Sequence, residues 1–115
     1  MADLVVESHR QGPIGVVTLI GEARLDTCDA IRAKGSALIR TGAKHLLLDA
    51  RALTFADSAS IGAMIQLQNE LQPGEGRLIL IGAPERLRKT ISTMGLSGRI
   101  RSAPDEVTAR AQLIR

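Results

Sequence analysis

Residues 53–64 read LTFADSASIGAM and separate two segments of different hydrophobic periodicity. The segment before them, His45 to Asp49, is an unbroken apolar run that ends at a carboxylate, which is typical of a strand covered on both faces. The segment after them has helical spacing up to the breaker Pro73-Gly74, with apolar residues at Ile61, Met64, Ile65 and Leu71. The sequence therefore predicts a buried strand, a short loop and a helix.

The predicted helix starts with Asp57, Ser58 and Ser60, which are residue types favoured in a first helical turn. A helix N-terminus exposes backbone N–H groups and the positive end of the helix dipole, so it can hold a negatively charged group. Two roles for Ser58 are open on this evidence. It is either a plain N-cap or an exposed hydroxyl at which a phosphate or an anionic partner is accommodated.

Strands and helices alternate along the rest of the chain. Gly12-Pro13 forms a turn between the first two strands, which are therefore antiparallel, whereas helices separate the later strands and require parallel, right-handed crossovers. The predicted strands cover residues 4–6, 14–20, 44–50, 77–81 and 99–101. Asp26 is the predicted N-cap of the first helix, and Pro84 suits the first position of the third. The last helix opens at residues 104–106.

This order predicts an α/β fold in a single domain, residues 1–115. A mostly parallel sheet of four to five strands, with an N-terminal antiparallel strand, carries about four helices. Gly35 lies on the apolar stripe of the first helix and allows close packing on the sheet, and Gly95-Leu96 resembles a Schellman ending of the third helix. The last helix is predicted to turn Val107, Ala111 and Ile114 inward. The predicted core includes Leu46, Leu48, Leu78, Leu80 and Ile65.

The composition excludes several classes of function. Phe55 is the only aromatic residue, so the chain lacks the stacking platforms that bind single-stranded nucleic acid. The formal net charge of +3 is small and dispersed, which argues against DNA binding. Cys28 is the single cysteine, which indicates a reducing compartment, and there is no signal peptide or membrane span. These features predict a cytoplasmic protein that neither binds nucleic acid nor inserts into a membrane.

The sequence lacks the parts that most enzyme sites need. A serine nucleophile needs a base, but the two histidines, His9 and His45, have no motif that places them beside Ser58, and there is no Gly-x-Ser-x-Gly elbow. Two histidines and one cysteine without ligand spacing do not form a metal site, and no phosphate-binding glycine loop is present. We therefore expect no enzyme activity, cofactor or metal, with a small hydrolase using Ser58 as a remote alternative.

The central segment resembles the signature of the STAS family (sulphate transporter and anti-sigma factor antagonist domains). Leu46 to Asp49 followed by residues 53–62 is similar to that family's apolar strand ending in Asp and its aromatic-x-Asp-Ser-Ser/Thr-Gly-Leu-Gly motif. Two further segments extend the resemblance over nearly the whole chain. Residues 21–26 are similar to a Gly-Glu-Leu-Asp segment, and residues 94–96 are similar to a Gly-Leu turn after the third helix. The resemblance implies the STAS fold.

The resemblance also implies a function. In stand-alone members that antagonise anti-sigma factors, a partner kinase phosphorylates the serine after the Asp, which matches Ser58 after Asp57 here. The expected protein is a bacterial anti-anti-sigma factor that regulates transcription by partner switching. It would bind an anti-sigma factor with serine kinase activity when unphosphorylated and be released by phosphorylation, with a serine phosphatase as a further candidate partner. The expected partner-binding residues are Asp57, Ser58, Ala59, Ser60, Ile61, Gly62, Arg24 and Asp26.

Three departures from the family pattern bear on the partner. Ala59 replaces the usual second hydroxyl, Ser60 replaces the usual glycine, and the loop between Glu22 and Leu25 is two residues longer than the common form. Ser60 is expected to add a side chain where a partner approaches closely. The alternative function is a STAS subunit of a membrane phospholipid-transport complex that docks on an ATPase subunit, in which Ser58 is a cap and contact residue.

Overall fold

The computed structural model describes residues 3–113, which form a five-stranded sheet and four α-helices. The sheet has the order β1-β2-β3-β4-β5, with β1 antiparallel to β2 and the other neighbours parallel. The predicted fold class is confirmed. The elements are β1 Leu4–Gln11, β2 Ile14–Ala23, α1 Cys28–Arg40, β3 His45–Ala56, α2 Ser58–Leu71, β4 Leu78–Ile81, α3 Glu85–Thr93, β5 Arg101–Ala103 and α4 Glu106–Leu113.

Both faces of the central strands are buried, which explains their unbroken apolar runs. One face packs against α1, α2 and α3 and includes Leu46, Leu48, Leu78 and Leu80. The other face packs against α4 and includes Leu47, Ile79 and Ile81. The core prediction is confirmed for the four leucines, whereas Ile65 is only half-buried at the edge of the first cluster.

Helices α1 and α2 approach each other closely at Gly35. A Cβ at this position would lie 2.6 Å from Cδ1 of Leu67, a fully buried residue of α2. Gly35 therefore permits packing against a neighbouring helix, and the prediction that it packs on the sheet is wrong. The error arose because the helical stripe shows which side is buried but not which element covers it.

Strands β2 and β3 are longer than predicted, and this extension positions the segment around Ser58. The parallel ladder continues through the pairs Glu22–Phe55 and Ala23–Ala56, and the Asp57 N–H donates to the Ala23 carbonyl at 3.1 Å. Residues 53–56 are therefore strand and not the short loop that we predicted. Because the strand runs directly into the helix, Asp57 is held by the sheet on one side and by α2 on the other.

The start of α1 differs from the prediction. Asp26 is exposed and does not cap the helix, which begins at Cys28 after Thr27. The N–H groups of Thr27 and Cys28 both donate to the Arg24 carbonyl, and the Thr27 hydroxyl accepts from the Arg24 N–H at 2.8 Å. This turn satisfies the backbone groups that a side-chain cap would otherwise bind.

The C-terminal elements also shift. Pro84 precedes α3 rather than opening it, and β5 begins two residues later than predicted. In α4 the buried side is set by Ala109, so Val107 and Ala111 are exposed and their predicted inward orientation is wrong. Each residue of a helix is rotated by about 100° from the one before it. Val107 lies two positions before Ala109, so it is on the opposite side of the helix. Ile114 lies outside the described residues.

Candidate functional site

The carboxylate of Asp57 connects the start of α2 to the loop between β2 and α1. Its Oδ1 atom accepts hydrogen bonds from the Ser60 N–H at 2.9 Å and from the Ser60 hydroxyl at 3.0 Å. Its Oδ2 atom accepts from the Leu25 N–H at 2.9 Å, in the loop between β2 and α1. Asp57 is thus the N-cap of α2, and it also ties the neighbouring loop to this helix.

These contacts keep Asp57 ionised. Partial burial acts to raise the pKa of Asp57, but hydrogen bonds from Ser60 and Leu25, together with the positive charge of Arg24, outweigh it. The pKa of this carboxyl group is therefore held below its usual value. Asp57 therefore carries a negative charge at neutral pH, and this charge lies at the positive end of the α2 dipole.

Ser58 is the first residue of α2 and is exposed to solvent. Its N-cap role is ruled out because Asp57 occupies that position. The hydrogen bonds of this turn join Asp57 and Ser60, and within residues 3–113 none engages the Ser58 hydroxyl. The structure therefore presents Ser58 as a free hydroxyl on a firmly capped helix.

The next residues of the motif divide into exposed and buried positions. Gly62 is exposed and Ala59 is half-buried, whereas Ser60 and Ile61 have no exposed surface. Ser60 and Ile61, which were expected to contact a partner, therefore present no surface to one in the folded protein, and their partner contact stays a prediction. Ser60 turns inward because its hydroxyl donates to Asp57, so it strengthens the cap and adds nothing to the outer surface.

The loop between β2 and α1 lies beside this helix start. The guanidinium of Arg24 stacks on the ring of Phe55 at 4.5 Å from the centroid, and its Nε donates to Glu22 Oε1 at 2.9 Å. Leu25 is 73% exposed, and Asp26 is also exposed. The structure thus brings Arg24 and Asp26 to the same end of the sheet as Ser58. The stacking on Phe55 was missed from sequence, although a lone aromatic residue before the motif could have suggested it.

A small cleft opens next to Phe55, between the end of β3 and the start of α3. Its volume is about 140 Å³, and its walls are mostly apolar, with Leu53, Pro84 and Leu87 contributing. No signal in the sequence indicated this cleft, because its walls come from segments about 30 residues apart. It extends the surface around Ser58 with a concave apolar patch.

Both histidines lie far from Ser58. His45 is the first residue of β3, whereas Ser58 follows the other end of that strand. The Nδ1 atom of His45 accepts the Arg77 N–H at 3.0 Å. His9 is paired with Val16 at the same distant end of the sheet. Neither ring is placed to act as a base for Ser58. In the part of the chain that the structure describes, no cluster of potential metal ligands occurs, and no helix is long and apolar enough to cross a membrane.

Comparison with known proteins gives matches over most of the chain. Residues 7–105 match the family described as "Mlab, STAS domain". The anti-sigma F factor antagonist of Lysinibacillus sphaericus is 32% identical over 92 residues, which are 79% of each chain. The anti-sigma factor antagonist SpoIIAA in its unphosphorylated form has a TM-score of 0.81 and 26% identity, covering 96% of this chain and 99% of that one. The phosphorylated form of SpoIIAA, a Bacillus cell fate determinant, has a TM-score of 0.74 and 24% identity, covering 96% and 100%.

Proposed function

Because the chain belongs to the STAS domain family, we propose that it is an anti-anti-sigma factor whose partner binding is controlled by phosphorylation of Ser58. Unphosphorylated, it binds an anti-sigma factor that has serine kinase activity; phosphorylated, it is released. The relatives named as anti-sigma factor antagonists support the regulatory role. The proposal adds the residue that is modified and the way in which its modification changes binding.

The observation that supports this proposal most strongly is that Asp57, and not Ser58, caps α2. Asp57 makes the capping hydrogen bonds, so the Ser58 hydroxyl is free and exposed. A kinase can therefore reach Ser58 without opening the helix. Ser60, the other hydroxyl of this turn, is fully buried and bonded to Asp57, so it is not available to a kinase in the folded state.

Phosphorylation of Ser58 should leave the fold intact and abolish binding. A phosphate adds about −1.5 to −2 charge, and the positive end of the α2 dipole tolerates it. At an interface, however, the phosphate must lose its hydration close to the ionised Asp57. The switch therefore acts on the interface and not on the stability of the domain.

The proposed binding surface surrounds Ser58. It combines the exposed Gly62 on the first turns of α2 with Arg24, Leu25 and Asp26 on the neighbouring loop. The half-buried Asp57 and Ala59 lie between these two parts. We expect charge reversal at Arg24 to slow association with the partner, because charges at an interface rim mainly change the association rate. The same reversal at Lys89, an exposed residue of α3, is the control and should leave the rate unchanged.

Treatment with the partner kinase and ATP, followed by mass spectrometry, tests the modified residue. Trypsin should release residues 52–77 as one peptide, because no lysine or arginine lies between Arg51 and Arg77. Fragment ions that separate Ser58 from Ser60 should place the phosphate on Ser58, and the Ser58→Ala variant should stay unmodified. Phosphate on Ser60 would contradict the proposal. A chain that binds an ATPase subunit of a transport complex and is never phosphorylated would instead support the static docking role.

A further inference from the structure

A second candidate site lies at the opposite end of the sheet from Ser58. A cavity of about 480 Å³ opens where β3 and β4 begin, next to the first residue of β5. Its polar walls include Lys44, His45, Gln72, Glu75, Arg77 and Arg101. Because β3 is 12 residues long and a strand rises about 3.3 Å per residue, more than about 30 Å separate this cavity from Asp57 at the other end of the strand. The proposed partner-switching surface therefore does not include it.

The charge of the cavity is positive. Among the described residues that line it, Lys44, Arg77 and Arg101 contribute three positive charges against the single carboxylate of Glu75. The ion pairs found among residues 3–113 involve none of these three cations. Arg77 and Arg101 are also half-buried, so they have lost part of their hydration, and no carboxylate of residues 3–113 pairs with them. A bound anion would compensate for this loss.

The neutral side chains of the cavity present hydrogen-bond donors. His45 Nδ1 accepts the Arg77 N–H, and burial together with the nearby Lys44 lowers the pKa of His45, so the ring is neutral and carries its proton on Nε2. The Gln72 side-chain oxygen accepts from Gln68 Nε2 at 3.3 Å, and no acceptor within residues 3–113 takes up the Gln72 amide hydrogens. Cations and neutral donors thus line the same space.

We propose that this cavity binds a small molecule through its phosphate groups. Arginine side chains form paired hydrogen bonds with phosphate oxygens, and Lys44 adds a further positive charge at the rim. The volume lies in the usual range for small-molecule sites. The cavity walls contain no aromatic ring on which a base could stack, because Phe55 is the only aromatic residue and lies at the other end of the sheet. Recognition therefore depends on the phosphate groups.

Titration with inorganic pyrophosphate at physiological ionic strength tests this site. Calorimetry should show saturable binding, and NMR spectra should show shifts in backbone amides at residues 44–45, 72, 74–77 and 101. The double variant Arg77→Gln/Arg101→Gln should bind at least about tenfold more weakly, because it loses two charge-assisted contacts. The control Lys34→Gln/Lys89→Gln removes two exposed cations elsewhere and should bind like the native chain. Each double variant lowers the formal net charge from +3 to +1.

Two results would overturn the proposal: no saturable binding by the native chain, or equal weakening in both double variants, which would mean general charge attraction. If the Arg77→Gln/Arg101→Gln variant does not fold, the exposed Lys44→Gln variant serves instead and should also weaken binding. Flotation with phosphatidic acid and phosphatidylcholine vesicles identifies the source of the phosphate. Binding to pyrophosphate and also to phosphatidic acid vesicles but not to phosphatidylcholine vesicles, with both lost in the arginine variant, would support a lipid headgroup at this site. Binding to pyrophosphate with no binding to either vesicle would support a free phosphate compound.

Discussion

Replacing Asp57 by alanine should destabilise the domain far more than replacing its neighbour Ser58. The Asp57→Ala variant loses the N-cap of α2, which contributes about 1 kcal/mol, and leaves the buried Ser60 hydroxyl without its acceptor, which costs a further ~1–3 kcal/mol. The bond from the Leu25 N–H is lost as well. We therefore expect a loss of about 2–4 kcal/mol in the free energy of unfolding.

Urea unfolding followed by far-ultraviolet circular dichroism is the appropriate assay, because the chain has no tryptophan or tyrosine for fluorescence. Ser58→Ala is the matched control and should change the free energy of unfolding by less than about 0.5 kcal/mol, since its side chain is exposed and caps nothing. Equal losses in the two variants would refute the assignment of the cap to Asp57. So would a loss below about 0.5 kcal/mol for Asp57→Ala.

Three further predictions concern stability. Leu48→Ala should cost ~2–5 kcal/mol in urea unfolding, because Leu48 has no exposed surface; a loss below about 1 kcal/mol would contradict its burial. Gly35→Ala should lower the melting temperature, because the new Cβ meets Leu67, whereas Gly62→Ala has open space and should raise it; the opposite order would contradict the helix packing. The folded-state pKa of Asp57 is depressed, so its stabilising contribution is present above the usual carboxylate pKa near 3.8 and is lost as the pH falls through the folded value. As the pH is lowered, the free energy of unfolding should therefore fall less for Asp57→Asn than for the native chain. An equal fall in both chains would argue against this pKa shift.

Local chemistry in the sequence predicted several features correctly. The apolar runs before and after the motif correctly predicted the buried strands β3 and β4. The third helix ends in a Schellman motif, as the Gly95-Leu96 pair predicted. Gly95 has a φ of 75°, its N–H donates to the Ser92 carbonyl, and the Leu96 N–H donates to the Ile91 carbonyl. These features depend on residues a few positions apart, which is why they can be read from a single sequence.

Features that depend on distant segments were not predictable in the same way. The extension of β3 to Ala56 requires pairing with Ala23, and the bond from the Leu25 N–H to Asp57 joins residues 32 positions apart. The residue types at Asp26 and Asp57 suit a cap equally well. Only the fold shows that Asp57 performs this role and that the Asp26 side chain does not.

The site motif was identified from sequence, but the orientation of its side chains was not. Helical spacing alone allows Ser60 to face a partner, and its small polar side chain favours a surface position. The structure buries it because Asp57 offers an acceptor on the inner side of the turn. Arg24 was expected among the partner-binding residues, but its stacking on Phe55 depends on a loop and the end of β3, which are adjacent only in the fold.

The most direct test of the central claim is the affinity of the anti-sigma factor for the native chain and for its Ser58→Asp variant. The variant should stay folded, because a carboxylate in the first turn of a helix is favourable. Isothermal titration calorimetry should show binding by the native chain and by Ser58→Ala. It should also show a loss of at least about tenfold for Ser58→Asp, because the added charge must be buried close to the ionised Asp57. A Ser58→Asp variant that binds as tightly as the native chain would contradict control by phosphorylation at this residue.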